Sequence, residues 1–226
     1  MADFENPSSL KSLVVGILGG TGAQGRGLAV RFAAAGLQVA LGSRDAARAA
    51  AAAAEIGGGN PVRGLDNAAC ARASDLVIVA VPWEGHRELL ESLREDLAGR
   101  IVVDCVNPLG FDAKGPYPLQ VPEGSAAEQA AALLPASRVT AAFHHVSAVL
   151  LADPTVERVE TDVMVLGDDR EAVAVVAALA DAVPGMRGVY AGRLRNAGQV
   201  EALTANLIAV NRRYRTHSGL RITGVE

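Results

Sequence analysis

Near the start of the chain, Gly20-Thr21-Gly22-Ala23-Gln24-Gly25 sets glycines at G-x-G-x-x-G spacing, after an apolar run and before an alanine-rich one. That spacing binds phosphate when it joins a strand to a helix. The first glycine permits a tight turn and the second lets the backbone approach a pyrophosphate. The third lets the helix pack closely on the strand, and free N–H groups at the helix start meet the anion. An NAD site commonly carries an acidic residue at the end of its second strand, for the ribose hydroxyls. Here Ser43 and Arg44 stand there, with Arg48 one helical turn later. A hydroxyl and two guanidinium groups suit a 2′-phosphate. Asp45 falls after the strand end and reads as a helix cap. The pattern predicts NADP(H) rather than NAD(H).

Groups for acid–base chemistry are scarce. Lysine occurs only at Lys11 and Lys114, and no tyrosine is followed by a lysine four residues later. Reducing a carbonyl needs a proton donor as well as a hydride. His144 and His145 are the best candidates, just after a strand near the expected switch point of the sheet; His86 begins a helix and His217 lies near the C-terminus. For any one of them a structural role outweighs a catalytic one, so no catalytic residue is assigned. The shortage fits direct hydride transfer between two stacked redox rings, which needs no protein acid or base. No metal-ligand spacing is present. Trp83, after Pro82, either borders the nicotinamide ribose or packs beneath a loop. Asn196, Asn206 and Asn211 read as surface or interface groups.

The elements that must position these residues alternate. Apolar runs at Ser12 to Leu18, Gln38 to Leu41, Val62 to Gly64, Leu76 to Val81, Ile101 to Asp104, Val139 to Phe143, Val163 to Leu166 and near Val189 read as strands. Ala23 to Ala35, Asp45 to Ile56, Asp66 to Ala73, Gly85 to Leu97, Ser125 to Leu134, the stretch after Asp169 to Ala182, and Arg195 to Tyr214 read as helices. Gly57 to Asn60 reads as a glycine-rich break. Val106 to Gly124 shows no clear element, and a long irregular loop is often functional. Ser125 with Glu128 three residues on resembles a capping box. Continuous rather than alternating apolar strands are those covered on both faces. The expected fold is α/β: a Rossmann-type doubly wound, mostly parallel sheet, with a small C-terminal α/β portion ending in a long helix. Residues 1–147 form the nucleotide-binding domain and 148–226 the smaller portion.

The 226 residues are 50% hydrophobic, enough for one sizeable core, and the net charge of −4 gives no reason to expect nucleic acid. Cys70 and Cys105 are too few for a disulfide scaffold and read as buried thiols of a reducing cytosol. Neither a signal peptide nor a membrane span is visible, so a soluble cytoplasmic protein is expected. From Gly185 onward there are seven arginines (Arg187, Arg193, Arg195, Arg212, Arg213, Arg215, Arg221) against Glu201 and Glu226. That end is either a site for an anionic ligand or acidic partner, or a solvated helix face.

Several motifs, in order, carry a resemblance: Ile17-Leu-Gly-Gly-Thr-Gly-Ala-Gln-Gly-Arg-Gly-Leu-Ala, Gly42-Ser-Arg, Val81-Pro-Trp-Glu, Ile101-Val-Val, Lys114-Gly, Ser125-Ala-Ala-Glu, Phe143-His and Gly167-Asp-Asp. Together, over nearly the whole chain beyond about Lys11, they resemble the coenzyme F420-dependent NADP reductases. The resemblance implies reversible hydride transfer between the reduced 5-deazaflavin of coenzyme F420 and NADP+. It implies Thr21, Gly22, Ala23 and Gln24 on the pyrophosphate, and Ser43, Arg44 and Arg48 on the 2′-phosphate. It also implies Val81, Asn107 and Ala148 along the nicotinamide half, His144 near the deazaflavin, and a homodimer. Two departures stand out. Ala23-Gln24 replaces Asn-Leu, where backbone makes the contacts, and His145-Val146-Ser147-Ala148 replaces Thr-Ile-Pro-Ala beside the deazaflavin. The phosphate and glutamate tail of that ligand would suit the C-terminal arginines. Two other functions stay open: an NADPH-dependent reductase of a small carbonyl or imine, with His144 or His145 as proton donor, and a non-catalytic NADP(H) sensor.

Overall fold

The computed structural model describes residues 10–56 and 62–225. The Gly57–Asn60 break and the start of the chain lie outside them. Among the described residues, ten strands and eight α-helices follow one another. They are β1 (Val14–Leu18), α1 (Ala23–Ala34), β2 (Gln38–Ser43), α2 (Ala46–Ile56), β3 (Val62–Asp66), α3 (Asn67–Arg72), β4 (Leu76–Val79), α4 (His86–Ser92) and β5 (Ile101–Asp104). Then come β6 (Leu109–Asp112), β7 (Gly115–Pro118), α5 (Ala126–Leu133), β8 (Arg138–Ala141), α6 (Ala148–Ala152), β9 (Thr161–Gly167), α7 (Arg170–Asp181), β10 (Met186–Gly192) and α8 (Ala197–Tyr214).

Eight strands form one sheet in the order β10-β9-β8-β5-β4-β1-β2-β3. All neighbours are parallel except β8 and β9. The sheet is a Rossmann-like α/β fold, and it ends in the long helix α8. Successive strand residues point to opposite faces, and both faces are covered. Val15, Ile17, Leu76, Ile78 and Val103 join Leu28, Phe32 and Val176 of α1 and α7 in one core. Leu18, Val77, Val79 and Val102 join Leu90, Ala127 and Val200 of α4, α5 and α8 in the other. Two-sided burial explains why these strands read as unbroken apolar runs.

Some expected boundaries move. The Val106 to Gly124 segment is not featureless: Leu109–Asp112 and Gly115–Pro118 pair as an antiparallel hairpin packed beside α8. Its prolines and glycines hid the alternation that marks a strand. The Leu76 to Val81 strand ends at Val79, the Val139 to Phe143 strand ends at Ala141, and the Gly85 to Leu97 helix is regular only over His86–Ser92. The short α6 had no sequence signal. It is held by Arg31, a buried guanidinium that donates to the carbonyls of Leu150, Leu151, Asp153 and Val156. Leu150 and Leu151 carry carbonyls of the last turn, which a helix C-terminus leaves unpaired, and Asp153 and Val156 follow in the segment after it. Two caps hold, although Glu128 reaches back to the Ser125 hydroxyl rather than to its N–H. Ser125 Oγ accepts from Glu128 N and donates to the Glu128 carboxylate, and Asp45 Oδ1 accepts from Ala47 N and Arg48 N. Asn211 is more than a surface group, because its Oδ1 accepts from Ser218 N and Oγ and ties down the tail after α8.

Candidate active site

The strand order reverses at β1: β2 and β3 lie to one side, β4 and β5 to the other. Ligands of open α/β sheets bind at the carboxyl ends of the strands flanking such a reversal. At that edge Gly19, not Gly20, adopts the left-handed conformation, at φ +76. A side chain there would fall 2.4 Å from Ala80 O. Only glycine permits both the turn and this approach of the β1 and β4 ends. A Cβ on Gly20 would come 2.8 Å from Leu41 Cδ2, and one on Gly25 would come 2.8 Å from Gly19 O, so both glycines keep loop, strand and α1 in close contact. Gly22 is the N-cap residue of α1 with no side-chain cap, which leaves the first N–H groups of that helix for a ligand.

A cleft of about 1040 Å³ opens over this edge, lined by Gly19, Thr21, Gly22, Ser43, Arg44, Arg48 and Val81, among others. Ser43 is buried, and its Oγ accepts from Asp45 N, leaving the hydroxyl hydrogen to donate. Arg44 and Arg48 are exposed, and among the described residues their guanidinium groups have no hydrogen bond or ion pair. Asp66, the N-cap of α3, and Asn67 complete the wall. Their place at the end of β3 was their only mark in the sequence. A second cavity of about 370 Å³ shares Ala80, Val81 and Pro82 with the first. It is lined by Gln24, Trp83, Cys105, Val106, Asn107, Phe111, His144, Thr204 and Ile208, among others.

Polar links fix the second cavity. Asn107 Nδ2 donates to His144 O at 2.9 Å, and Thr204 Oγ1 donates toward Asn107 Oδ1 and His144 O at 3.3 and 3.2 Å. Gln24 Nε2 donates to Phe143 O at 3.2 Å. Phe143 is buried with φ 65, an uncommon conformation for a phenylalanine, held by an edge contact with Phe32. That turn carries both following histidines inward. His144 has no partner on either ring nitrogen among the described residues, and burial pulls its pKa down to about 4. His145 Nε2 donates to Asp162 O at 2.8 Å, and burial lowers its pKa too. Both rings are therefore neutral at neutral pH. Ala148, like Gly20, Ala23 and Gly25, is not among the residues that line the cavities, and unlike those three it lies away from the loop after β1. It opens α6, which packs on α1 at Gly27, and it lines neither cavity.

The basic C-terminal end divides. Arg187 and Arg221 close on the buried carboxylate of Asp162, and Arg193 faces Asp168. Arg212, Arg213 and Arg215 are exposed, with no such partner among the described residues. Thr204 and Ile208 went unnoticed in sequence, although their four-residue spacing puts them on one helix face. Asp104, which closes an apolar strand with a charge, was the available signal for a buried polar group. Trp83 borders the second cavity, with its ring against His86. Cys70 and Cys105 are free and buried. No described helix is long and apolar enough to cross a membrane.

The family described as NADP oxidoreductase, coenzyme F420-dependent, matches residues 14–108. The chain is 38% identical over 221 residues to the F420-dependent NADP reductase of Methanothermobacter thermautotrophicus, covering 93% of this chain and 95% of that protein. It is 38% identical over 223 residues to the enzyme of that name from Methanocaldococcus jannaschii, covering 94% and 99%. The crystal structure of an Arthrobacter protein proposed to be an F420-dependent NADP reductase superposes with a TM-score of 0.80 at 28% identity, covering 94% of this chain and all of that one. With likeness over nearly the full length and a two-cavity cleft at the sheet reversal, the chain belongs to the F420-dependent NADP reductase family.

Proposed function

We propose that the chain is an NADP-dependent oxidoreductase that transfers a hydride reversibly between reduced coenzyme F420 and NADP+. The observation that carries this reading is the pair of joined cavities. One is lined by the glycine-rich loop after β1 and the unpaired guanidiniums of Arg44 and Arg48, the other by apolar and aromatic side chains (Val106, Trp83, Phe111) together with polar ones (Asn107, His144, Thr204), and they meet at Ala80, Val81 and Pro82. When bound, the two redox rings supply the chemistry themselves, as donor and acceptor of one hydride. The protein's part is to bind, align and exclude water.

The backbone of Thr21, Gly22, Ala23 and Gln24 would hold the pyrophosphate at the start of α1, and Gly20 and Gly25 keep that loop tight. Ser43, Arg44 and Arg48 would hold the 2′-phosphate, and NADP(H) follows from them. Val81 and Asn107 would border the nicotinamide, and His144 the deazaflavin. Ala148, outside both cavities, would act on the nicotinamide side only indirectly, through α6. A neutral, buried His144 makes a poor proton donor near neutral pH, so a carbonyl or imine reductase is the weaker reading. Its orphaned ring nitrogens fit a ligand that offers a hydrogen bond.

Residues 148–226 would act as the smaller portion, adding the Thr204–Ile208 wall. Arg212 follows Ile208 by four residues, so the deazaflavin's anionic tail would run along that face toward it. The exposed Tyr117, Val210 and Tyr214 around the hairpin and the end of α8 support a homodimer contact there. We place the protein in the cytoplasm, with no nucleic acid or membrane partner. The decisive test mixes the protein with NADPH and oxidised coenzyme F420. Loss of the deazaflavin absorbance at a catalytic rate is expected; tight NADP(H) binding with no turnover would instead make the chain a sensor.

A further inference from the structure

Beneath the second cavity lies a buried polar chain that hydride transfer itself does not use. His86 is fully buried at the start of α4. Its Nε2 lies 2.6 Å from Asp104 Oδ2 and its Nδ1 lies 2.9 Å from Gln129 Oε1. Gln129 Nε2 donates to Glu123 Oε2 at 3.2 Å, and Glu123 is paired with Arg87 at the surface. A carboxylate only accepts, so Glu123 fixes the amide with its carbonyl toward His86. Nδ1 must then carry a hydrogen. A second proton lies on the short line between Nε2 and Asp104 Oδ2. Held on the ring, it makes an imidazolium enclosed by a carboxylate on one side and an amide carbonyl on the other.

Both outer contacts of this pair reach the cavity wall. Asp104 Oδ1 accepts from Val106 N at 3.0 Å, and Val106 and Asn107 line the cavity. On the other side the His86 ring lies under the indole of Trp83, centroids 5.5 Å apart and planes 31° apart. Trp83 sits in a one-turn 3-10 helix, Trp83–Gly85, that has no side-chain cap, and open space surrounds Gly85. The half-buried indole also packs on the core that holds Leu90 and Val200, and the His86 ring is its aromatic contact.

We propose that His86 is a positioning residue: as an imidazolium held by Asp104 and Gln129, it sets the Trp83 indole and the Asp104–Asn107 turn that together wall the second cavity. This rests on reading that cavity as the deazaflavin's site. The charged groups facing His86 are Asp104 from β5 and Glu201 from α8, with Glu123 and Arg87 behind Gln129 of α5. Glu201 caps α5 by accepting from Ala126 N and Ala127 N. Burial opposes the charge on His86, but Asp104, by charge and hydrogen bond, and Gln129 together hold its pKa above the ordinary value. An imidazolium against an indole face is a favourable cation–π contact, stronger when desolvated.

Trp83 is the only tryptophan of the 226 residues, so its emission reports on this contact without any cofactor. The experiment follows tryptophan emission of the cofactor-free protein from about pH 6 to 8, around the ordinary histidine value. It does so for wild type and for Asp104→Asn, which keeps the size and removes the charge. Ring ¹⁵N spectra, with His86→Gln to assign the signal, read the protonation directly. In wild type the His86 ring should stay protonated on both nitrogens across the range, and emission should follow only Glu201, whose pKa burial raises to about 7. In Asp104→Asn the ring should lose its proton within that range, emission should titrate in step, and the KM for the deazaflavin should rise about tenfold while that for NADP stays put. A neutral His86 ring in the wild type near pH 7, or an Asp104→Asn enzyme whose two KM values move equally, would overturn the proposal. A wild type that never turns over the deazaflavin would refute the reading of the cavity instead, and the spectra would still decide the state of the ring.

Discussion

Replacing Arg44 by alanine removes one of two guanidiniums that line the first cavity at the end of β2. A hydrogen bond to a charged group contributes about 1.5–3 kcal/mol, and Arg can make two to one phosphate. Arg44 is exposed, so solvent screens the pair, and the second bond adds little beyond the first. The expected loss is therefore about 1.5–3 kcal/mol, which raises the Kd for NADPH by about 10- to 100-fold. NADH has no 2′-phosphate, so its Kd should change by less than about twofold. The loss should shrink with added salt, because screening acts over about 10 Å at 0.1 M ionic strength. Titration of both nucleotides into wild type and Arg44→Ala, by calorimetry at two salt concentrations, measures all three quantities. If wild type binds NADPH and NADH equally, or Arg44→Ala weakens both alike, the 2′-phosphate assignment is refuted.

Gly25→Ala puts a methyl 2.8 Å from Gly19 O and 2.9 Å from Gly20 Cα, both backbone atoms that cannot swing aside. Denaturant unfolding should show a loss of about 1–3 kcal/mol, with weaker NADPH binding alongside it; unchanged binding would mean the loop tolerates a wider approach. Changing Arg212 and Arg213 to Gln should raise the KM for the deazaflavin and leave NADPH binding intact, and no change in either would remove the anionic tail from that helix. Asp162 has no exposed side-chain surface and accepts from Arg187, Arg221 and Ile222 N, with the Arg187 hydrogen bond foremost in holding its pKa far below the usual carboxylate range. A depressed folded pKa stabilises above the unfolded value near 4 and fades as pH falls through the folded one. Asp162→Asn should therefore cost about 3 kcal/mol at neutral pH, measured by urea unfolding, and progressively less as pH falls below about 4.

The sequence by itself determined the sheet's character and the nucleotide loop. Those signals are local. A strand buried on both faces must be apolar throughout, as Leu76–Val79 and Ile101–Asp104 nearly are. The G-x-G-x-x-G spacing marks the loop, although the structure gives the tight turn to Gly19, where a Cβ would fall 2.4 Å from Ala80 O, rather than to Gly20. Ser43, Arg44 and Arg48 were readable because one strand end and the first turn after it carry all three. Only the tertiary structure decided the second cavity. Its walls come from Trp83, Asn107, His144 and Thr204, brought together by three strand ends and the last helix. Nor could spacing reveal that His86 meets Asp104 and Gln129, or that the C-terminal arginines divide between Asp162 and solvent. An unbroken apolar run or a local cap leaves a trace in sequence. A hydrogen bond across scores of residues depends on how the chain crosses itself, and that is set by the sheet order.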